Sequence, residues 1–284
     1  MARLGDEADP ETVAEAAREF LSDDAWVDSV ISRLAEAMRA DPYFEPPFPA
    51  LHGNIHSGLL VYEDRHLTLA VGISRLADMA LRKQAAEGRG SVNFTGQLSL
   101  YRFLKSGGVT LAFWECDGIG PTFSATTAGQ CRPAGKRRIA DGEIVVVDGR
   151  RQGFVMEHAA SNFLVLQANV KTGQAPVSAE FDSASRRFIG CSAVDEGECR
   201  IQMAATLARM LGHEHAFAAI APFLDHPSFF VRWHAMKELL GIDAQTALPR
   251  LRLMAARDPH PDARAAARQV LDRIERPERP RKAA

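Results

Sequence analysis

The side chains able to do chemistry are few and scattered. Histidine comes first, because imidazole is the commonest transition-metal ligand and the usual general base near neutral pH. His52 and His56 stand four residues apart, a spacing that brings two ligands onto one face of a helix. Gly53, Gly58 and the strand-like run after them argue against a helix there, so this pair is a weak metal candidate. His213 and His215 form a His-x-His pair but fall at a turn between helical stripes. His158 shares its strand face, by parity, with Phe154 and Met156, which places it toward an interior as a cavity-lining side chain or a third weak metal candidate. Gln97, Tyr101, Trp114 and Gln167 are further candidates for lining a ligand cavity, and parity does not decide between Tyr101 and Arg102.

Nucleophilic and phosphate chemistry find less support. The chain has no Gly-x-Ser-x-Gly elbow. Its four cysteines, Cys116, Cys131, Cys191 and Cys199, show no Cys-x-x-Cys pairing, so reduced structural thiols are expected. The glycine turns at 88–90 and 118–120 lack the lysine and hydroxyl of a phosphate loop. Asp195 and Glu196 read as loop charges. We therefore expect no catalytic residues, no bound metal and no cofactor.

The elements that must position these groups fall into three regions. Residues 1–50 carry 4 basic and 12 acidic side chains, 51–199 carry 16 and 15, and 200–284 carry 14 and 9, within a total formal charge of -2. The overall balance disfavours a nucleic-acid binder. No apolar run approaches a membrane span and the first ten residues are too acidic for a signal peptide, so a cytoplasmic protein is expected.

The first region, 1–48, reads as an acidic helical lead. Val13, Ala16, Ala17, Phe20 and Leu21 make one stripe; Trp26, Val27, Val30, Ile31, Leu34 and Met38 make a second, with Asp24 as its expected cap. The prolines at 42, 46, 47 and 49 end it.

From 49 to 198 the period changes to alternation. Strands are expected over 58–62, 67–73, 91–95, 97–104, 109–115, 143–147, 151–158, 162–170, 177–182 and 186–191, with one helix over 74–87. Tight glycine turns between short strands require antiparallel pairing, hence a β-sandwich or jelly-roll barrel. Lys136, Arg137 and Arg138 flank the strand at 143–147 together with Arg150 and Arg151 and read as a solvated rim.

From 199 to 276 helical stripes return over 201–211, 214–224, 229–240, 246–256 and 262–274, before a flexible tail at 277–284. Asp225-His226-Pro227 leading to Val231-Arg232, and Asp258-Pro259-His260-Pro261 leading to Ala263-Arg264, are two copies of one phrase. A proline in the first helical turn loses no hydrogen bond, an aspartate caps, and alanines let helices stack closely.

This segment, about 201–276, resembles the HEAT-like repeat family, including the short variety found in phycobilisome-lyase-type proteins. The resemblance implies an α-solenoid that docks a partner protein or a second copy of the chain. Arg232, Arg250, Arg252, Arg257, Arg264 and Arg268 would present a positive partner-binding surface, unless they form an internal ladder with Asp225, Asp243 and Asp258, which is the reading we favour.

Ile139 to Val170, "IADGEIVVVDGRRQGFVMEHAASNFLVLQANV", resembles the second half of a cupin barrel. Metal-bearing members of that family use a His-x-His pair, a glutamate and a further histidine. No His-x-His lies between Leu51 and Cys191, and Gly153 falls where the last histidine would be. The resemblance thus implies a barrel without the conventional metal site.

The fold expected is a multidomain α and β protein: a cupin-like antiparallel barrel with a helical lead and a HEAT-like solenoid. The function expected is a non-enzymatic scaffold or adaptor that binds a partner protein or self-associates through its repeats. The alternative is a small-molecule- or metal-binding enzyme or sensor that uses the barrel interior; pigment or cofactor handling follows only from analogy with lyase-type repeats.

Overall fold

The computed structural model describes residues 8–275 apart from 24, 53–55 and 79–89. The expected cap Asp24, most of the helix expected over 74–87 and the tail lie outside the described residues. The chain forms two compact units, Met1–Ile119 with Gly129–Gly190, and Gly120–Ala128 with Cys191–Ala284.

The first unit is built on an antiparallel six-stranded sheet in the order β1-β2-β3-β10-β5-β8. Its strands are β1 (Ala50–His52), β2 (His56–Glu63), β3 (Leu67–Ser74), β5 (Leu98–Lys105), β8 (Ile144–Asp148) and β10 (Phe163–Val170). Two three-stranded sheets complete it. One is ordered β7-β6-β9, from β7 (Arg132–Arg138), β6 (Thr110–Glu115) and β9 (Gln152–His158). The other is ordered β12-β11-β4, from β12 (Phe188–Ala193), β11 (Val177–Asp182) and β4 (Ser91–Phe94).

Alternation along β3, β5 and β10 gives the large sheet two apolar faces. One carries Leu67, Leu69, Leu100, Leu166, Ala168 and Val170 and is covered by Val13, Ala17 and Leu21 of α1 (Pro10–Ser22) and Val27 of α2 (Ala25–Ala40). The other carries Phe103, Val145, Val147 and Phe163, and packs with Leu111 and Phe113 of β6 and Phe154 and Met156 of β9. This is the sheet-on-sheet core of a β-sandwich.

The acidic lead therefore spends its apolar stripe on the sheet. α1 begins with Asp9, whose carboxylate accepts the Thr12 amide at 3.0 Å, and with Pro10 in the first turn. At its other end Arg102 of β5 donates to the Leu21 carbonyl, a cation satisfying a backbone group that the helix leaves open. Arg102 thus faces α1, while Tyr101 packs in the sandwich core.

Two strands lack an apolar signature in the sequence. β1 has three residues, and β7 reads Arg-Pro-Ala-Gly-Lys-Arg-Arg with all seven exposed at a sheet edge. Charged edge strands of this kind resist pairing with other chains. At the β5–β6 turn Gly107 has φ 56°, and a Cβ there would lie 2.4 Å from the Ser161 carbonyl oxygen.

The second unit stacks α3 (Glu196–Met210), α4 (Ala216–Ile220) with a 3₁₀ turn (Ala221–Asp225), α5 (Phe229–Ile242), α6 (Ala244–Arg257) and α7 (Pro261–Glu275). α5 is the central element and packs on all the others. Ala235 and Leu239 meet Ala205 of α3, and Met236 meets Leu251 of α6 and Ala267 of α7.

One ion pair spans the stack. Arg232 of α5 donates from Nε and Nη2 to both carboxylate oxygens of Asp258 at 2.8 and 2.7 Å, with both side chains buried. Its Nη1 binds the carbonyls of His226 and Pro227, each at 2.8 Å. Thirty-two positions on, Arg264 makes the same two carbonyl contacts, to Asp258 and Pro259 at 2.6 and 3.1 Å. The repeated phrase thus has a repeated physical task, closing the turns that lead into α5 and α7.

Burial pushes Asp258 up, but hydrogen bonds from Arg232 and the His260 amide outweigh it and hold the carboxyl below the usual aspartate range. A depressed carboxyl contributes stability above its unfolded pKa and loses it as pH falls through the folded one. Asp258→Ala leaves Arg232 buried and unpaired and should cost about 3–5 kcal/mol in denaturant melts followed by helical circular dichroism. That penalty should shrink as pH falls below the unfolded aspartate value of about 4 and on through the lower folded one; a cost under about 1 kcal/mol at neutral pH would contradict a structural pair. In the first unit, Leu21→Ala should cost about 2–5 kcal/mol, and a surface-like effect would mean that α1 does not cover the sheet.

Candidate functional site

The sequence candidates do not converge on one site. His52 and His56 flank the short β1–β2 connection, with His52 opposite Ser57 and His56 opposite Ser74. His158 is exposed at the end of β9. The reason is a bulge: Leu111 pairs with Met156 but Thr110 pairs with His158, so Glu157 is an extra residue and the alternation that would carry His158 inward is broken. Trp114 pairs with Gly153 on the strand face opposite Phe113, and Gln97 donates to Gln174 at 2.8 Å. Among the described residues no group of three or more His, Cys, Asp or Glu is placed to hold a metal ion.

Tyr101 and Gln167 do come together, as direct cross-strand partners on β5 and β10. They belong to a polar belt within the sandwich. Gln167 Nε2 and Ser99 Oγ both donate to Asn169 Oδ1 at 2.9 Å, Tyr101 hydrogen-bonds Ser99, and its ring meets Phe154 edge-on at 5.2 Å. Burial pushes the Tyr101 phenol above its ordinary pKa. The belt satisfies its own donors and acceptors, as buried polar groups must.

A cavity of about 280 Å³ lies at the ends of β6, β7, β8 and β9, lined by Glu115, Cys116, Arg132, Asp148, Arg151 and Gln152. Its charges are largely paired with one another or with neighbours: Arg132 lies 3.6 Å from Glu115 and 3.0 Å from Asp117, and Asp148 binds Arg150 at 2.7 Å. Burial pushes the Cys116 thiol up, the opposite of what a thiolate nucleophile requires.

In the helical unit three of the six candidate arginines are engaged internally. Arg232 is buried on Asp258, which removes it from any docking surface, Arg264 holds two turn carbonyls, and Arg268 holds the Ala255 carbonyl at 3.0 Å. Arg250 lies over the Phe217 ring, and Arg252 and Arg257 are exposed on α6. Of the aspartates expected in the ladder, Asp258 carries it. Asp243 instead caps α6, accepting from the amides of Gln245 and Thr246.

The surface with an unexplained composition is the outer side of α3. Its inner side is tied to α5: Ser228 donates to Glu198 at 2.7 Å, Thr206 to Glu238 at 2.9 Å, and Arg209 to Glu238. Thr206 has one hydroxyl proton, so when it goes to Glu238, His234 Nε2 donates to the Thr206 oxygen at 2.8 Å. Burial, and then Lys237, hold His234 below the ordinary imidazole value, which keeps it neutral in this network at pH 7.

The outer side carries Met203, Leu207, Met210 and Leu211, exposed by 72%, 56%, 71% and 74%. Counted from the first intrahelical bond of each helix, Cys199 to Asp195 in α3 and Arg232 to Ser228 in α5, Met203 and Leu207 stand where α5 has Met236 and Leu240. Met236 is buried and Leu240 packs against the same core, whereas Met203 and Leu207 are open to solvent. Sequence reasoning gives this face no role, because a helical stripe over 201–211 reads the same whether it is covered or open.

No curated protein matches the chain. Among solved structures it is similar to the Cnp3 cupin domain of Schizosaccharomyces pombe, at 5% identity and a TM-score of 0.25 over 42% of this chain and 63% of that one. It is similar to a cupin domain from Bordetella pertussis Tohama I, at 7% identity and 0.24 over 45% and 100%. A sugar phosphate isomerase of the cupin superfamily from Silicibacter pomeroyi gives 9% and 0.29 over 52% and 88%. At this depth of similarity the architecture rests on the strand order and packing described above. The C-terminal segment has a sequence match of its own: residues 193–272 match the family described as HEAT repeats.

Proposed function

We propose that this protein is a non-catalytic scaffold that associates with protein through its HEAT repeats, and that the outer face of α3 is the contact surface. The observation that carries the reading is the exposure of Met203, Leu207, Met210 and Leu211 together along one side of α3. A repeat array normally closes each end with a polar face, so an apolar end is a surface prepared for another helix. Contiguous exposed apolar side chains of this kind mark interaction sites.

The arginine side chains fit the same reading. Three of the six that would make a basic docking surface, Arg232, Arg264 and Arg268, are held by internal partners, which weakens a purely basic contact and favours the apolar one. Leu and Met on a helix supply such contact with little geometric demand on the partner.

The double substitution Met203→Glu/Leu207→Glu separates a contact surface from a core. It should change the stability of the isolated protein by no more than about 0.5 kcal/mol, since both sites are exposed. Leu239→Ala, at a fully buried position of α5, should cost about 2–5 kcal/mol. In cells, the double variant should lose the higher-mass species that chemical cross-linking gives for the wild type. Retention of all those species, or a loss of stability comparable with Leu239→Ala, would defeat the proposal.

A further inference from the structure

We infer that Cys116 and Cys131 are a modification site, a cross-strand pair that closes into a reversible disulfide when a hydroperoxide reaches it.

The geometry follows from the sheet register. β6 and β7 pair antiparallel and end with Glu115 opposite Arg132, so one further step sets Cys116 opposite Cys131. Neither amide bonds across that step. The Cys116 amide donates to the Arg151 carbonyl at 2.9 Å, and the Cys131 amide donates to the Arg186 carbonyl at 3.0 Å. The step is therefore a non-hydrogen-bonded position, where opposed Cα atoms stand about 4.5 Å apart, inside the range of roughly 4.4–6.8 Å that disulfides span. Opposed residues share one face of a sheet, so both side chains project to the same side.

Burial agrees with that placement. Cys116 and Cys131 are 4% and 1% exposed, and both are free thiols. They are near enough that negative charge on Cys131 opposes ionisation of Cys116. The only hydrogen bond that Cys116 Sγ donates is a weak one, to the Arg150 carbonyl at 3.8 Å, so little is lost when the sulfur turns to a new partner.

The cavity at the strand ends gives the two sulfurs different roles. Cys116 stands in its wall and Cys131 does not. At about 280 Å³ the space is smaller than pockets for drug-sized ligands, and it brings a molecule the size of hydrogen peroxide to Cys116 first. The Cys116 thiolate attacks one peroxide oxygen, the O–O bond breaks and hydroxide leaves, which makes a sulfenic acid. The Cys131 thiolate then attacks that sulfur, the S–O bond breaks and a second hydroxide leaves. The two thiol protons turn both hydroxides into water, and two electrons pass from the pair to the peroxide. Burial holds the Cys116 thiol above its ordinary range against the opposing pull of Arg132 in the same wall, so the reaction is slow and stoichiometric. Its product staples the connection 117–130 at its base, which restricts the unfolded chain.

Peptide mass after oxidation tests this. The full chain is exposed to hydrogen peroxide until the exposed Cys199 is fully oxidised, then unfolded, alkylated with N-ethylmaleimide and digested with trypsin. No Lys or Arg lies between Lys105 and Arg132, so both cysteines fall on one peptide. That peptide should be lighter by a pair of hydrogens, carry no alkyl group, and accept alkylation at both sulfurs after dithiothreitol. In Cys131→Ala, Cys116 should pass beyond the sulfenic acid to forms that dithiothreitol does not reverse. In Cys116→Ala, Cys131 should stay open to alkylation. The wild-type peptide decides the matter even where a variant fails to fold. Two free thiols on it, irreversible oxidation of Cys116 with Cys131 present, or a disulfide from either residue to Cys191 or Cys199 would overturn the inference.

Discussion

A stack of helices has two ends, and whatever an interior helix buries on each side must at those ends be replaced by polar residues, covered or left open. The helical unit obeys this constraint unevenly. α5 is enclosed, with Ala235, Met236 and Leu239 at 2% exposure or less and Arg232 locked on Asp258. α3 carries methionine and leucine on a side that stays open. The carbonyl contacts of Arg232 and Arg264 give α5 and α7 the same entry turn, and the Arg232–Asp258 pair ties the two turns together. A buried pair of this kind contributes little net stability against an apolar substitute, but it specifies one arrangement of the stack.

The sandwich unit solves a different problem. Its large sheet is apolar on both faces, so it needs two covers, and the acidic lead supplies one of them. The acidity of α1 and α2 is confined to the sides that do not meet the sheet, and the strongly negative first region is the solvated back of a helical lid. On the other face the core is aromatic and β-branched at one end and becomes a belt of Ser99, Tyr101, Gln167 and Asn169 at the other. Polar groups in such a place cost free energy unless they are paired, and here they pair with each other.

How much of this was legible in the sequence depended on the signal each element carries. The strands with alternating apolar residues and glycine turns could be read, as could the lead helices and the repeated phrase at Arg232 and Arg264. β7 could not, because an exposed edge strand made of Arg, Lys, Pro and Gly has no apolar period to detect. His158 was assigned inward because parity assumes an unbroken strand, and a one-residue bulge at Glu157 leaves no trace in residue types. Tyr101 and Gln167 were named as neighbours of a cavity and prove to be partners on adjacent strands. The arginines were visible, but their partners were not: Asp258 holds Arg232, Asp243 caps α6, and Arg264 and Arg268 bind backbone carbonyls that residue types do not reveal. The α3 face was hidden because a helical stripe over 201–211 looks the same in the sequence whether its apolar side is covered or open.

The account turns on whether the outer face of α3 is a protein contact. A photo-reactive residue placed at Leu207 of the full chain and irradiated in cells reads this directly. A contact there predicts a higher-mass adduct from that position that is lost when Met203→Glu is added. A chain that stays folded and gives no adduct from position 207 would contradict it.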